Sequence, residues 1–334
     1  MAKPTSEIAA LERWAGKVLG EKVGAEPLSG DGGGRRYYRL HDTGLLVLAG
    51  PDPAENLAWL RIGRHLWFKG LPLPRIVDHD LSAGLFLLED LGDRLLAGLD
   101  DDDLYYQAVE LAARIHTEGP AGFEPLWCHQ TRRYSAVMAE QAEISYFLKH
   151  LVLGYLKWPR LPRGIKIEVK ALAEAAAACC GRGDPVLMHR DYQGRNLIDF
   201  QGRLHLLDWQ GARSGPAVYD LSSLMEETPG RRLEDAFKER LLRHYLKTRG
   251  LSRQLTAYQR ELYLVGPVRM MQALGAYGRL SLQGKGKFAA YIPPALKRLS
   301  EMMRPNALKS FPLLKGLVEE AAEQAQDACL GRAG

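Results

Sequence analysis

The chain has 334 residues, 46% of them hydrophobic and 25% charged, and a formal net charge of +5. This composition is ordinary for a globular protein, and the length suffices for two lobes around a substantial core. The net charge is small and is accompanied by no basic run, which argues against a nucleic-acid-binding protein. No stretch approaches the roughly 20 apolar residues of a membrane-spanning helix, and residues 1–20 carry charges where a signal peptide would be apolar. We therefore expect a cytoplasmic protein that binds neither nucleic acid nor membrane.

The first 40 residues alternate a helix, strands and a glycine cluster. Residues 5–19 repeat apolar side chains at helical spacing, which predicts an amphipathic helix. Four glycines among residues 30–34 then separate Leu28 from an apolar run that begins at Tyr37, a pattern that predicts two strands joined by a glycine turn. Backbone amides in such a turn can close over nucleotide phosphates, although a hairpin tip without a ligand is equally consistent with the pattern. The candidate phosphate contacts are Gly32, Gly33, Gly34 and Arg36, with Arg35 as an alternative to Arg36.

A second set of elements leads to a candidate hinge. Leu45–Ala49 predicts a strand, residues 53–70 predict a helix, and residues 85–88 predict an apolar strand that runs into Glu-Asp-Leu-Gly. Such an ending suits a hinge whose main-chain groups meet the edge of an adenine base. The candidate contacts are the backbone groups of Glu89, Asp90 and Leu91. The acidic run at 100–103 precedes a helical pattern and is interpreted as N-terminal capping rather than as a metal site.

The stretch 185–210, PVLMHRDYQGRNLIDFQGRLHLLDWQ, has the strongest chemical pattern. After an apolar strand it contains the spacing H-x-D-x-x-x-x-N, which places Asn196 five residues after Asp191. Two short strands follow, joined by a turn that we centre on Gly202. That centre sets Asn196 opposite Asp208, about 5 Å apart at the backbone.

Three side chains of this stretch fit phosphoryl-transfer chemistry. An aspartate can accept a hydroxyl proton, and an asparagine and a second aspartate are the hard oxygen ligands that Mg²⁺ prefers. We therefore assign Asp191 as the catalytic base and Asn196 and Asp208 as magnesium ligands. In the alternative interpretation, the loop is a polar connection between strands, and Asn196 and Asp208 cap turns. His189 is interpreted as a residue that braces the loop rather than as a participant in the chemistry.

Several segments resemble one group of enzymes. HRDYQGRN is similar to the catalytic loop of the aminoglycoside phosphotransferase group of protein-kinase-like enzymes, and LLDWQGARSGPAVYDLSSL is similar to its metal-binding segment. The resemblance extends over residues 28–299 and includes three further segments, GRRYYRL, FLLEDLGDR and LGAYGRLSLQGKGKFAAYI. Within the group, the chain most resembles the bacterial kinases that phosphorylate N-acetylmuramate and N-acetylglucosamine at the anomeric hydroxyl in cell-wall recycling.

The resemblance implies a bilobal α+β fold of the protein-kinase type. It places a β-rich nucleotide-binding lobe in residues 1–88, a hinge at 89–93 and a mostly helical catalytic and substrate lobe in residues 94–334. It also implies ATP and Mg²⁺ as cofactors and a small-molecule sugar as the substrate. Asp220 is expected to brace the catalytic loop from below.

The chain departs from the group's pattern at the strand Leu45–Ala49. A lysine that holds the α- and β-phosphates is expected near Ala49, and no lysine is present in that strand. Either Arg35 or Arg36 replaces it electrostatically, or nucleotide affinity depends on magnesium and backbone donors. Glu55 occupies the position of the glutamate that usually pairs with that lysine. Because the lysine is absent, Glu55 is interpreted equally well as a surface residue and as a functional one.

The region after the catalytic stretch favours a small acceptor. Only eleven residues separate Asp208 from Asp220, too few for a segment that docks a peptide. Residues 251–300 contain eight basic side chains and one acidic one, which suits a neutral or anionic sugar better than a polycationic aminoglycoside, unless these side chains are solvated helix faces. The candidate substrate contacts are Arg195, Arg269 and Arg279. The rival functions are a kinase of another small alcohol, such as an aminoglycoside, choline or a lipopolysaccharide sugar, and a nucleotide-binding module without catalysis.

Overall fold

A five-stranded antiparallel sheet forms the centre of the N-terminal lobe. The computed structural model describes residues 4–28, 34–181, 185–226 and 230–330. The strand order in the sheet is β1-β2-β3-β5-β4. Its strands are β1 (Ala25–Leu28), β2 (Arg36–Leu40), β3 (Leu45–Ala49), β4 (Ile76–Asp80) and β5 (Leu85–Glu89).

Helix α1 (Pro4–Leu19) packs against this sheet. Its Leu11 is buried in one cluster with Val47 of β3 and Leu87 of β5. The amphipathic helix predicted at 5–19 is confirmed, because its apolar side meets the sheet. The strand pattern predicted on either side of the glycine cluster is confirmed by β1 and β2, which pair antiparallel.

Helix α2 (Pro53–Phe68) begins at a cap that sets the position of Glu55. The Asp52 carboxylate accepts hydrogen bonds from the backbone amides of Ala54 and Glu55, at 2.9 and 3.2 Å. A capping aspartate followed directly by proline is a strong start signal for a helix. Glu55 therefore lies in the first turn of α2, at the edge of the cleft between the lobes.

The C-terminal lobe is mostly helical. Its helices are α3 (Asp102–Glu118), α4 (Ala136–Met138), α5 (Ser145–Phe147), α6 (Ile165–Ala178), α7 (Ala217–Met225), α8 (Asp235–Thr248), α9 (Leu255–Leu282), α10 (Ile292–Met302) and α11 (Pro312–Leu330). Wide π-helical turns join α4 to α5 and continue the helix to Tyr155. Helix α9 crosses the lobe, and its Val268 and Leu274 are fully buried in a large apolar cluster. The bilobal α+β fold expected from the sequence is confirmed.

The acidic run before α3 caps that helix, as predicted. The Asp101 carboxylate accepts hydrogen bonds from the amides of Asp103 and Leu104, at 2.9 and 3.3 Å. These contacts satisfy amides that the helix itself leaves unpaired. In the described ranges, no helix is both long enough and apolar enough to cross a membrane.

Two short strand pairs contain the catalytic stretch. They are β6 (Val186–Met188) with β9 (Arg213–Gly215), and β7 (Leu197–Phe200) with β8 (Arg203–Leu206). Both pairs are antiparallel. The loop between β6 and β7 carries the H-x-D-x-x-x-x-N spacing, and the residues after β8 carry Asp208.

The β7–β8 hairpin has a different register from the predicted one. Its turn consists of Gln201 and Gly202, which both have positive φ, at 55° and 78°, as a tight two-residue hairpin turn requires. The strands therefore set Asn196 opposite Leu207, whose amide donates to the Asn196 carbonyl at 2.9 Å. The predicted pairing of Asn196 with Asp208 is wrong by one residue, because the turn is centred between its two residues and not on the glycine.

Candidate active site

Asp220 holds the catalytic loop from below. It lies on α7, fully buried, under the loop that follows β6. Its two carboxylate oxygens accept hydrogen bonds from the backbone amides of His189 and Arg190, at 2.7 and 2.8 Å. Bonds from consecutive amides to one carboxylate fix the backbone between them, and Arg190 adopts a left-handed φ of 79° there. Asp220 therefore fixes the backbone conformation of the loop at His189 and Arg190.

Two buried histidines extend this support. The Nε2 of His189 lies 3.0 Å from the carbonyl of Leu207, which ties the loop to the end of β8. His116 of α3 lies with its Nε2 3.0 Å from the Asp220 carboxylate and its Nδ1 2.7 Å from the Tyr245 hydroxyl. Burial lowers the pKa of His116 below its ordinary value, against the opposing effect of Asp220. Sequence reasoning missed His116, because a single histidine within a helix carries no motif.

Asp191 extends from this loop into the cleft. Its side chain is 40% exposed, so a substrate hydroxyl can reach it. The Asn196 side chain donates from Nδ2 to the Asp191 carbonyl at 2.8 Å, and the Gln193 backbone amide donates to the same oxygen at 2.9 Å. Because Nδ2 of Asn196 is turned to the loop, its Oδ1 is left as a possible metal ligand. The Asn196 side chain is therefore fixed relative to the backbone of Asp191.

Arginine side chains keep Asp191 ionised. Burial alone would raise the pKa of this carboxyl, but the charges of Arg269, Arg190 and Arg195 outweigh burial and hold the pKa below its ordinary value. Arg269 has the largest effect of the three, and its NH2 lies 3.5 Å from Oδ1 of Asp191. At neutral pH the side chain is therefore a carboxylate that can accept a proton.

Arg269 is itself held by several contacts. Its Nε donates to the Ser223 hydroxyl at 2.7 Å, and its NH1 donates to the Gln272 side chain at 2.9 Å. The guanidinium carbon lies 5.8 Å from the centre of the Tyr219 ring, within the range of a cation–π contact. The arginine is therefore oriented before any substrate arrives.

The three candidate substrate arginines lie around one cavity. Arg195, Arg269 and Arg279 all line it. The Nε of Arg279 donates to the Tyr146 hydroxyl at 2.7 Å, which fixes the direction of its guanidinium. The structure brings these residues together from the catalytic loop and from α9.

The opposite side of the cleft contains an ion-pair cluster. Arg35 lies just before β2, and its NH1 is 3.2 Å from Oδ1 of Asp208 while its NH2 is 3.6 Å from Oε1 of Glu55. The side chain of Arg36 pairs instead with Glu7 of α1 and does not line the cavity. Successive residues of an extended chain point to opposite sides. The structure therefore gives Arg35, and not Arg36, access to a ligand in the cleft, and it places Glu55 in the cleft as well.

Trp209 attaches the Asp208 segment to α2. Asp208 has a left-handed φ of 59°, and the ring of the next residue, Trp209, stacks on Trp59 with ring centroids 4.6 Å apart. The Nε1 of Trp209 donates to the Trp59 carbonyl at 2.7 Å. Gly63 of α2 leaves room for this ring, because a Cβ there would lie 2.7 Å from it. Sequence reasoning missed this contact, since the two tryptophans are 150 residues apart.

The hinge backbone is partly bonded within the protein itself. The Glu89 amide donates to the Arg75 carbonyl at 2.9 Å, and the Asp90 amide donates to the Gly44 carbonyl at 3.0 Å. The Leu91 amide has no such backbone partner in the described part of the chain. Glu89 and Leu91 line the cavity, whereas Asp90 does not. The three predicted hinge contacts are therefore unequal in their access to a ligand.

A single cavity of about 670 Å³ connects these groups. The N-terminal lobe and hinge contribute Gly34, Arg35, Glu55, Glu89 and Leu91, and the C-terminal lobe contributes Asp191, Arg195, Asn196, Asp208, Arg269 and Arg279. The predicted phosphate contacts Gly32 and Gly33 lie outside the described residues. The volume is in the range of small-molecule sites.

The oxygen ligands suit a magnesium ion that is bound together with a nucleotide. Among the described residues, no group of three or more histidine, cysteine, aspartate or glutamate side chains could hold a metal ion. Mg²⁺ usually takes one or two protein oxygens, and phosphates and water complete its octahedron. Asp208 and Asn196 both line the cavity and supply that number of ligands.

A β-rich lobe and a helical lobe enclose one cavity, and the loop with the H-x-D-x-x-x-x-N spacing faces it. This arrangement is that of a protein-kinase-like phosphotransferase with an alcohol group as acceptor. The chain belongs to the phosphotransferase enzyme family, whose sequence profile matches residues 24–260. The enzyme class expected from the sequence is confirmed.

Relatives and solved structures agree with this assignment. The chain is 27% identical to the N-acetylmuramate/N-acetylglucosamine kinase of Pseudomonas aeruginosa over 94% of both chains. It is 31% identical to the N-acetylmuramate/N-acetylglucosamine kinase of Neisseria meningitidis over 87% of this chain and 88% of that one. The crystal structure of an ADP-bound aminoglycoside phosphotransferase matches with a TM-score of 0.59 and 14% identity, covering 91% of this chain and 99% of the other. This last likeness shows the fold.

Proposed function

We propose that this phosphotransferase uses ATP and Mg²⁺ to phosphorylate the anomeric hydroxyl of N-acetylmuramate or N-acetylglucosamine, giving an α-1-phosphate in cell-wall sugar recycling. The single observation behind the proposal is that Asp191, Asn196 and Asp208 line one cavity that also reaches the hinge. The names of the two relatives support the choice of acceptor.

Asp191 is the catalytic base in this proposal. Its carboxylate is ionised and exposed to the cleft, so it can accept the proton of an acceptor hydroxyl during transfer. An anomeric hydroxyl is more acidic than an ordinary alcohol, and a carboxylate with a low pKa is therefore a sufficient base. The charge of Arg269 favours the ionised form of this base.

Asp208 and Asn196 would hold the magnesium ion. When bound, Mg²⁺ neutralises the phosphate oxygens and the charge that develops on them during transfer. The chain itself orients these two ligands. Asn196 is fixed by its hydrogen bond to the Asp191 carbonyl, and Asp208 is followed by Trp209, which is anchored to α2.

We place the nucleotide against the N-terminal lobe and take 89–93 as the boundary between a nucleotide-binding lobe, 1–88, and a catalytic and substrate lobe, 94–334. The Leu91 amide is the hinge donor for the base, because the amides before it already have partners. The backbone from Gly32 to Gly34 would cover the phosphates, with Arg35 beside it.

We place the acceptor between the catalytic loop and α9. Arg195, Arg269 and Arg279 give this part of the cavity a positive charge, which favours a neutral or anionic sugar. The same charge would repel a polycationic aminoglycoside.

ADP release in Mg–ATP tests the proposal, with N-acetylmuramate, N-acetylglucosamine, kanamycin, choline or no acceptor. Release that depends on either acetylated sugar supports the proposal. Release only with kanamycin or choline would keep the chemistry and overturn the acceptor. No release despite measurable ATP binding would favour a nucleotide-binding module without catalysis.

A further inference from the structure

The N-terminal lobe brings one cation into the cleft, and that cation already has partners. Arg35 is the only basic side chain of this lobe among the described residues that line the cavity. Its guanidinium lies between Asp208 and Glu55. The Arg35 side chain is 5% exposed, whereas the side chains of Asp208 and Glu55 are 34% and 28% exposed. A cation that enters the cavity can therefore reach the carboxylates that Arg35 neutralises.

Arg35 supplies a cation to the cleft from outside β3, the strand in which the lysine is missing. Strands β2 and β3 pair with Arg36 opposite Ala49, where the resemblance places the lysine. Ala49 and Arg36 therefore face the same side of the sheet, away from the cleft. Arg35, one residue earlier, faces the cleft, where its side chain reaches Glu55 of α2. The chain thus pairs a cation with the helix glutamate, but it supplies the cation from the residue just before β2 rather than from β3.

The pairing of Arg35 with Asp208 conflicts with metal binding. Asp208 is the proposed magnesium ligand, and a divalent cation at its carboxylate would lie close to the guanidinium and be repelled by it. The Nε of Arg35 is buried and has no hydrogen-bond partner in the described ranges. A phosphate oxygen would satisfy this donor and would compete with Asp208 for the guanidinium.

We propose that Arg35 exchanges partners when nucleotide binds: it neutralises Asp208 in the free protein, and it turns to a nucleotide phosphate and releases Asp208 to Mg²⁺ in the complex. This inference rests on the proposed function, since it takes Asp208 as a metal ligand. Its consequence is positive coupling, in which nucleotide and metal each raise the affinity for the other.

Two titrations test the exchange. Mn²⁺ replaces Mg²⁺ as a probe, and the loss of its free-ion paramagnetic resonance signal measures the binding of metal alone. Calorimetry measures the binding of MgADP. In Arg35→Gln, Mn²⁺ alone should bind about three- to fivefold more tightly, the range expected when a partly exposed competing ion pair is removed. MgADP should bind at least about tenfold more weakly, because a charge-assisted phosphate contact is lost.

Three further variants serve as controls. Arg36→Gln makes the same change one residue away, outside the cavity, and should alter neither affinity. Combining Arg35→Gln with Asp208→Asn should abolish the gain in Mn²⁺ affinity, because the released ligand is gone. Arg35→Lys keeps the charge, so Mn²⁺ affinity should remain near that of the wild type even if Arg35→Gln folds poorly.

Opposite shifts for Mn²⁺ and MgADP in Arg35→Gln support the exchange. A parallel loss of both affinities, or an unchanged Mn²⁺ affinity, would overturn it, as would tighter Mn²⁺ binding in Arg35→Lys. Neither titration contains an acceptor, so a wrong acceptor leaves the result intact. Failure of the wild-type protein to bind MgADP would refute the proposed function together with this inference.

Discussion

The two sides of the cleft are held in different ways. Beneath the catalytic loop, Asp220, His189 and His116 are at most 2% exposed, and their hydrogen bonds fix backbone amides or one another. Across the cleft, Arg35 pairs with the partly exposed carboxylate of Asp208. Buried hydrogen bonds cost much to break, whereas partly exposed ion pairs contribute little and can exchange with a ligand. The loop that carries Asp191 is therefore held firmly, whereas the ion pair between Arg35 and Asp208 can exchange with a ligand.

Asp191→Asn tests the proposed catalytic base and has the largest expected effect. The substitution keeps the size of the side chain and removes the proton acceptor, so turnover should fall about 10²- to 10⁴-fold. MgADP affinity should change by less than about threefold, because the loss is confined to the chemical step. ADP release and calorimetry measure the two quantities. Asp235→Asn, at an exposed carboxylate outside the cavity, is the control, and near-normal turnover of Asp191→Asn would remove this residue as the base.

Trp209→Ala tests whether packing, rather than ion pairs, anchors the Asp208 segment. The ring is buried and stacked on Trp59, so its loss should lower the free energy of unfolding by about 3–5 kcal/mol. Trp67→Ala removes a 47% exposed tryptophan from the same helix, α2, and should change it by no more than about 0.5 kcal/mol. Urea unfolding measures both variants. Equal effects of the two substitutions would contradict the anchoring role.

Asp220→Asn tests the support beneath the loop. The Asp220 carboxylate accepts hydrogen bonds from two backbone amides, whereas an asparagine side chain has one acceptor oxygen. One of the two amides would therefore lose its partner. A buried unsatisfied amide costs about 1–3 kcal/mol, and turnover should fall as the loop shifts. Urea unfolding and ADP release measure these changes, with the 75% exposed Asp93 as the site of a control Asp→Asn change for stability. Unchanged stability would mean that the loop is held elsewhere.

Arg269→Gln has the smallest expected effect, a shift of the pH profile. The pKa of Asp191 lies below its ordinary value, so the base is ionised above that pKa and becomes protonated as the pH falls through it. Removing the most effective cation should raise this pKa, and turnover should begin to fall at a higher pH on the acid side. Arg279→Gln makes the same change at another arginine of the cavity and should leave the acid limb in place. Identical profiles for the two variants would contradict the role of Arg269.

The local pattern predicted that Asp191 and Asn196 lie close to each other. Asp191 and Asn196 are five residues apart on one loop, so their spacing alone constrains them, and the structure places both at one cavity with Asp208. The hairpin register could not be read in the same way. It depends on Gln201 joining Gly202 in the left-handed region, and glutamine has no strong preference for that conformation.

Contacts between distant segments account for what the sequence did not predict. The choice between Arg35 and Arg36 depends on where β2 starts after the glycine cluster, because a shift of one residue reverses which side chain enters the cleft. The stacking of Trp209 on Trp59 joins segments 150 residues apart and follows from no local propensity. Both contacts join the segment around Asp208 to the N-terminal lobe, where tertiary packing decides the arrangement.

The position of phosphate on the product tests the proposed function most directly. After reaction of the protein with Mg–ATP and N-acetylmuramate, phosphorus NMR should show a new sugar phosphate whose signal is coupled to the anomeric proton. A phosphate coupled to the protons of another carbon, or phosphate released only as the inorganic ion, would contradict transfer to the anomeric hydroxyl.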